Sequence, residues 1–388
     1  MSNHYPTVFI HGLGGWGETD KASKFFPYFG STPSKNMIQH MREEGYEVYQ
    51  PSLGPVTSAW DRCCELWAQL VGGTVDYGKV HSQRHGHARY GRTYEKGLIE
   101  DWGTPGDHAK INVVGHSFGG PVVKQFAELI ANGCQEEVNG TPEEELSGLF
   151  KIEKPQKIHC VTTLSGVNNN GTTMASLMGN KGMTIITYAI LIANALVGQT
   201  RVMDFYDFRT DHWGVMPDPS TVTKHKFTNP LKKKAAYAAY DKNFVDSCAR
   251  EMMVETVQDM VNPSQRTNPK YYYFVYRAAR QLKDMFFLCA AAGKLTGKIQ
   301  EEKLACYGVD ASWKEQDGFV NVPGQSAPFN QPYADFPGEE SIEPGIWYNM
   351  PVEDKDHMSW MGFGEPKDKY FAEYEVMLKR FAALPDVD

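Results

Sequence analysis

Long apolar runs, paired cysteines and basic tracts are all scarce in this chain of 388 residues, and each shortage removes a class of protein. The uncharged stretch from Met183 to Val197 is shorter than the roughly twenty residues a bilayer demands, so no transmembrane segment is expected. The seven cysteines, Cys63, Cys64, Cys134, Cys160, Cys248, Cys289 and Cys306, make an odd total with an adjacent pair and no C-x-x-C. That pattern argues against a disulfide framework, and free thiols are expected. With a net charge of -8 and only the short patch Lys232-Lys233-Lys234, the chain offers no arm for phosphates, and nucleic acid is not an expected partner. Met1-Ser2-Asn3-His4 lacks a basic stretch followed by an apolar one, so no secretory signal is visible. A cytoplasmic location is expected unless a leader was removed. Internal repeats, low-complexity segments and a clear linker are missing too, which favours one globular domain over residues 1–388.

What the chain does contain is Gly115-His116-Ser117-Phe118-Gly119, a G-x-S-x-G turn between two recognisable elements. Ile111-Asn112-Val113-Val114 before it reads as a buried strand; Val122, Phe126, Leu129 and Ile130 after it recur at helical spacing. Glycines on either side let the backbone double back and push the serine hydroxyl above the sheet edge. Pro121 sits in the first helical turn, where a missing amide hydrogen is harmless. A glycine-rich turn that merely contains a serine is the bland alternative; the strand-elbow-helix context favours Ser117 as a nucleophile.

Thr7-Val8-Phe9-Ile10 forms a second apolar strand running into His11-Gly12-Leu13-Gly14-Gly15. The Walker spacing is absent, and no G-x-G-x-x-G is followed by a suitable acid, so the loop does not read as a phosphate cradle. In an α/β-hydrolase such a loop aims a backbone N–H at the carbonyl under attack, and the residue after the nucleophile supplies another. Leu13 and Phe118 are the expected oxyanion donors, through their backbones. Elsewhere Asn36 to Glu44 reads as helix, Tyr46 to Tyr49, Ile158 to Leu164 and Tyr271 to Tyr276 as strands, and about Tyr370 to Ala383 as a final helix. This alternation predicts an α/β fold with a mostly parallel, doubly wound sheet.

On that fold an acid and then a histidine follow the serine in chain order. Of the later histidines, His159 lies inside a strand, His212 and His225 come too early, and His357 stands ahead of the final helix. His357 is the expected base. Asp317, in the loop Gln316-Asp317-Gly318, is the expected acid, with Asp310 as the alternative.

Trp60-Asp61-Arg62, Gln69-Leu70-Val71-Gly72-Gly73-Thr74-Val75-Asp76-Tyr77-Gly78 and His85-Gly86-His87-Ala88-Arg89-Tyr90-Gly91-Arg92-Thr93-Tyr94 closely resemble the staphylococcal and bacillar triacylglycerol lipases, including their thermophilic, zinc-containing members. The likeness takes in the His11-Gly12 loop, the elbow, Asp207 to Gly214, Asp317-Gly318 and Asp356-His357. It implies an α/β-hydrolase with the triad Ser117, Asp317 and His357, a small zinc-binding insertion over 59–94 and a helical lid over 175–230. Of the family's zinc ligands, Asp61, His81 and His87 match. Ala236 falls where the second Asp is expected, before Ala238-Ala239-Tyr240-Asp241, so the fourth ligand stays open between water and a carboxylate such as Asp241. Ser359 and Gly364 replace acidic calcium ligands, with Glu365 displaced by one, and calcium is not expected. The family's Thr-Pro-His segment is changed to Ser165-Gly166-Val167-Asn168, which alters a wall of the site. Met183 to Val197, flanked by Gly182 and Gly198, reads either as a buried helix or as a mobile cover, and the resemblance favours the lid.

The expected activity is a serine-dependent carboxylic ester hydrolase, a triacylglycerol lipase working at a lipid–water interface. A short-chain or polyester-hydrolysing esterase would use the same residues, and a catalytically silent lipid binder is the alternative from another class. Secretion follows from the resemblance if a leader was trimmed.

Overall fold

Apolar residues on both faces of consecutive strands are what a sheet buried between two helical layers requires. The computed structural model describes residues 3–169, 171–179, 182, 205–214 and 246–387. Within them the strands are β1 (Thr7–Ile10), β2 (Val48–Tyr49), β3 (Gly73–Asp76), β4 (Tyr90–Tyr94), β5 (Lys110–His116), β6 (Lys157–Leu164), β7 (Tyr272–Ala279), β8 (Tyr333–Asp335) and β9 (Trp347–Asp354). Seven of them form one sheet in the order β2-β1-β5-β6-β7-β9-β8. Every pairing in it is parallel.

Alternation along the strands divides the core. Val8, Ile10, Ile111, Val113, Ile158 and Val161 face one layer, where helices α2 (Ala59–Val71) and α4 (Gly119–Asn132) contribute Leu66, Leu70, Val122 and Phe126. Phe9, Val114, Cys160, Phe274 and Tyr276 face the other, against Met37 and Met41 of α1 (Met37–Glu43) and Tyr370, Tyr374 and Phe381 of the C-terminal helix Lys367–Ala383.

Expected and observed bounds coincide for β1 and differ elsewhere for local reasons. Asn36 caps α1 instead of joining it, its side chain accepting from the amide of Gln39 at 3.2 Å. The strand expected over Tyr46 to Tyr49 shrinks to an edge pair, because β1 supplies partners only at Thr7 and Val8. β7 runs on to Ala279 because β9 continues the ladder to Asp354. The last helix starts at Lys367, set by Pro366 at its N-cap.

Residues 59–94 comprise α2, the antiparallel pair β3 and β4, and helix α3 (Lys79–His85), and Leu66, Leu70, Val75 and Tyr77 join them to the main core. Among the described residues no helix is long and apolar enough to cross a membrane. Met183 to Val197, His225, Ala236 and Asp241 lie outside the described residues.

Candidate active site

Parallel strands end on the same side of the sheet, so loops leaving β1, β5 and β9 converge. After β5 the chain turns so tightly that Ser117 adopts φ 57°, a left-handed conformation a serine rarely takes. A side chain at Gly115 would collide with the carbonyl of Gly119, and one at Gly119 would lie 2.6 Å from the carbonyl of Ile10. Only glycine permits this turn. Its position is pinned by the Ser117 amide donating to Leu164 O at 3.0 Å and by Ser117 O accepting from the Gly120 amide at 2.9 Å.

The loop after β1 lies directly against the elbow. A Cβ at Gly12 would sit 2.6 Å from Ser117 Cβ and 3.1 Å from its Oγ. The backbone that carries the Leu13 N–H therefore borders the serine hydroxyl, and Phe118, buried, opens α4 from the other side. The start of α4 adds the partial positive charge of a helix N-terminus. Leu13 itself is exposed, as are Phe25 and Phe26, and Phe25 packs on Phe205 with ring centroids 5.9 Å apart.

His357 follows β9 and opens a short 3-10 helix that Asp356 caps through the amides of Met358 and Ser359. Its Nδ1 donates to Asp317 Oδ2 at 2.7 Å, and its amide donates to the Asp317 carbonyl at 2.8 Å. The other carboxylate oxygen of Asp317 accepts from the amides of Phe319 at 3.0 Å and Val320 at 2.8 Å, so this fully buried acid is satisfied on both sides. With its proton on Nδ1, the imidazole keeps Nε2 free to act as a base. The ring of His357 lies 4.7 Å from that of His116, the neighbour of Ser117. Asp310 is exposed and spent on capping its own turn, its Oδ1 accepting from the Ser312 amide at 2.8 Å. His159 is enclosed in β6, where burial pushes its imidazole down to about 4.

A second cluster lies in the 59–94 region. Asp61 stands in the first turn of α2, His81 on α3, and His87 just after α3 beyond the left-handed Gly86; Asp246 precedes the short helix Cys248–Glu251. One ligand atom from each lies within 4.8 Å of all the others. His81 Nε2 is 3.4 Å from Asp61 Oδ1 and 3.3 Å from Asp246 Oδ1, and His87 Nε2 is 3.2 Å from Asp246 Oδ2. His87 Nε2 is 4.0 Å from Asp61 Oδ1, and the two Asp246 oxygens divide between the two imidazoles, spacings close enough for one ion to draw an atom from each residue into a tetrahedral shell. Asp61 Oδ1, His81 Nε2, His87 Nε2 and Asp246 Oδ2 are buried without a hydrogen-bond partner, four orphaned atoms aimed at one point. Nδ1 of His87 donates to Ala88 O at 2.9 Å, which leaves the Nε2 lone pair directed at the cluster. Burial opposes charge on His81, but Asp246 and Asp61 outweigh it and push it up to about 10. Burial likewise opposes the Asp246 carboxylate, and His81 and His87 hold it well below the usual range. The residues fit a divalent metal.

The sequence leaves the fourth position open between water and a carboxylate such as Asp241; among the described residues the carboxylate that joins Asp61, His81 and His87 is Asp246, just before a short helix. His212, set aside as a base for coming too early, is buried beside Asp61, its Nε2 donating to Asp61 Oδ2 at 3.0 Å. His212 lies inside the matched stretch Asp207 to Gly214, but nothing in that stretch marks a contact with a residue 151 positions earlier.

Residues 3–377 match the family model described as "Lipase-like, C-terminal domain". Lipase 1 of Staphylococcus aureus strain MRSA252 is 32% identical over 376 residues, covering 93% of this chain and 51% of that protein. The chain thus spans about half the length of the curated relatives it matches. Among solved structures, lipase 1 from Pelosinus fermentans superposes with a TM-score of 0.78 at 29% identity, over 99% of this chain and 100% of that one. EstA from Clostridium botulinum gives 0.79 at 28%, over 100% and 89%. Staphylococcus hyicus lipase gives 0.80 at 25%, over 97% and 96%. A family match running through nearly the whole chain, joined to a doubly wound parallel sheet with its loops gathered at one end, makes this chain a member of the lipase-like C-terminal-domain family with the α/β-hydrolase fold.

Proposed function

We propose that the chain is a carboxylic ester hydrolase, and specifically a triacylglycerol lipase. The observation that carries this reading is the buried Asp317–His357 pair at 2.7 Å beside an elbow that holds Ser117 at φ 57° against the Gly12 loop. Ser117 Oγ attacks the ester carbonyl while His357 Nε2 takes its proton, and a C–O bond to the enzyme forms. Asp317 fixes the imidazole tautomer and offsets the charge it gains. The amides of Leu13 and Phe118 hold the oxyanion. As the tetrahedral species collapses, the ester C–O bond breaks and the alkoxide leaves with the proton from His357. Water, deprotonated by His357, then attacks the acyl carbonyl, the C–O bond to Ser117 breaks as Oγ takes that proton back from His357, and the fatty acid is released.

The exposed Leu13, Phe25 and Phe26 beside the oxyanion loop favour a lipase at a lipid–water interface over a hydrolase of soluble esters. Asp61, His81, His87 and Asp246 would hold zinc; with every tetrahedral position filled by protein, the ion would cross-link the 59–94 region to the segment at Asp246 and leave no open position for substrate.

Hydrolysis of tributyrin and triolein emulsions, followed by pH-stat with Ser117→Ala as control, tests the reading. Turnover of both by the parent and of neither by the variant is the expected result. Turnover of tributyrin alone would make the protein an esterase with a short acyl pocket, and none at all would point to the silent lipid binder.

A further inference from the structure

Beneath the elbow runs a chain of hydrogen bonds that the mechanism above leaves unused. The Gly12 amide donates to Tyr28 Oη at 2.7 Å, and Tyr28 Oη lies 2.8 Å from His116 Nδ1. His116 Nε2 lies 3.1 Å from the carbonyl oxygen of His357. Both side chains involved are buried. Only one placement of protons satisfies every member. The His357 carbonyl can only accept, so a neutral His116 carries its proton on Nε2 and donates it there; Nδ1 must then accept from Tyr28 Oη, which itself accepts from the Gly12 amide. Burial pushes the Tyr28 phenol up, and burial with His357 nearby pushes the His116 imidazole well down, so both links stay neutral and the pattern does not invert.

What this chain joins is specific. At one end it holds the His11–Gly12 peptide, whose carbonyl is gripped from the far side by Nη2 of the buried Arg62. The next peptide carries the Leu13 N–H, and its carbonyl, Gly12 O, accepts from the Gly15 amide at 3.2 Å. At the other end it holds the backbone of His357, whose amide is already tied to Asp317 O. The oxyanion loop and the base come from strands on opposite sides of β5, and Tyr28 and His116 span the gap under the serine.

We propose that Tyr28 and His116 are positioning residues for ester hydrolysis, setting the separation between the oxyanion loop and His357. The proposal rests on the reading of Ser117, His357 and Leu13 given above. Neither residue touches the reacting atoms. Displacing an oxyanion donor or base by a fraction of an ångström lowers the rate without changing ground-state binding, since the misplaced groups act on charge that develops later.

The test compares parent, Tyr28→Phe, His116→Gln and the double variant on p-nitrophenyl butyrate, with kcat expressed per active site titrated by a fluorophosphonate burst, so that unfolded molecules do not count. Tyr28→Phe keeps the ring that packs edge-on against Phe29 and Trp16 and removes only the hydroxyl. Expected is a loss of about 10- to 100-fold in kcat per titrated site for each single variant. KM should stay within twofold, and the double variant should be no worse than the poorer single one, as for residues acting as a unit. A kcat per site within twofold of the parent in both single variants, with only the melting temperature lowered, would overturn the proposal and leave a structural role. Ser117→Ala separates the two levels. If it is inactive while Tyr28→Phe is fully active, positioning alone fails; if it still turns over, the triad reading fails and takes this proposal with it.

Discussion

Lys124 carries an ammonium group into the interior, where its partners are neutral oxygens: the carbonyl of Asn168 at 2.8 Å and Oδ1 of Asn262 at 2.9 Å. Burial pushes it down to about 7. The sign of the consequence is fixed, because a lysine with a lowered folded pKa binds fewer protons folded than unfolded between about 7 and 10.4. Stability therefore rises with pH across that window, by up to about 1.4 kcal/mol per unit for this one group. Lys124→Met lacks that slope. Urea midpoints at pH 6.5 and pH 9 should show the parent gaining on the variant at the higher pH, and a constant difference would contradict the shift. Nothing in the sequence marked Lys124 as buried, since a lone lysine in an amphipathic helix normally reaches water. Ser117 stood out by its strand-elbow-helix motif, whereas His357 and Asp317 were chosen by chain order and resemblance, and the structure pairs those two at 2.7 Å. Tyr28 and His116 were not, because the bonds that make them interesting join residues 88 and 241 positions apart.

At the scale of elements, the apolar runs before the two glycine loops identified β1 and β5, while periodicity after the elbow identified α4. Edges were less legible: β2 exists only where β1 offers it partners, which no local pattern in Tyr46 to Tyr49 announces. The loop after β1 gives a sharp contrast between two of its glycines. A methyl at Gly12 meets Ser117 Cβ at 2.6 Å and Tyr28 Oη at 2.8 Å, whereas Gly14 has φ 65° and open space around its Cβ position. Gly12→Ala should push the loop off the serine and reduce kcat by about 100-fold, the scale of an ångström's misplacement. Gly14→Ala adds only backbone strain of about 1 kcal/mol and should keep activity within a few-fold. Initial rates on tributyrin, with melting curves for both variants, decide it; equal losses would mean that the close approach at Gly12 is not what the loop depends on.

For the whole molecule, the candidate metal cluster joins residues 59–94 to a residue far along the chain, Asp246. Three of its four members were readable because they fall inside a segment that resembles known lipases; the fourth follows a stretch too divergent to align. Ion binding to the folded state alone, at about a thousandfold over Kd, contributes about 4 kcal/mol. Against an unfolding entropy of about 0.8 kcal/mol/K for a chain of this length, that is a shift of about 5 °C. Protein purified without added metal should contain close to one equivalent of zinc, and its melting temperature should drop by that amount in a strong chelator and recover with zinc. An unchanged melting temperature, or zinc far below stoichiometry, would refute the assignment.

The strand order has a cost that falls on synthesis. Every ladder of the main sheet is parallel, so none can close through a tight hairpin, and β6 finds its outer neighbour β7 only after more than a hundred further residues. At ribosomal rates that interval lasts roughly 5 to 20 s. During it β2, β1, β5 and β6 have been made while the outer edge of β6 has no partner from the described sheet, so that edge is the place where pairing with other nascent chains is expected to compete with folding.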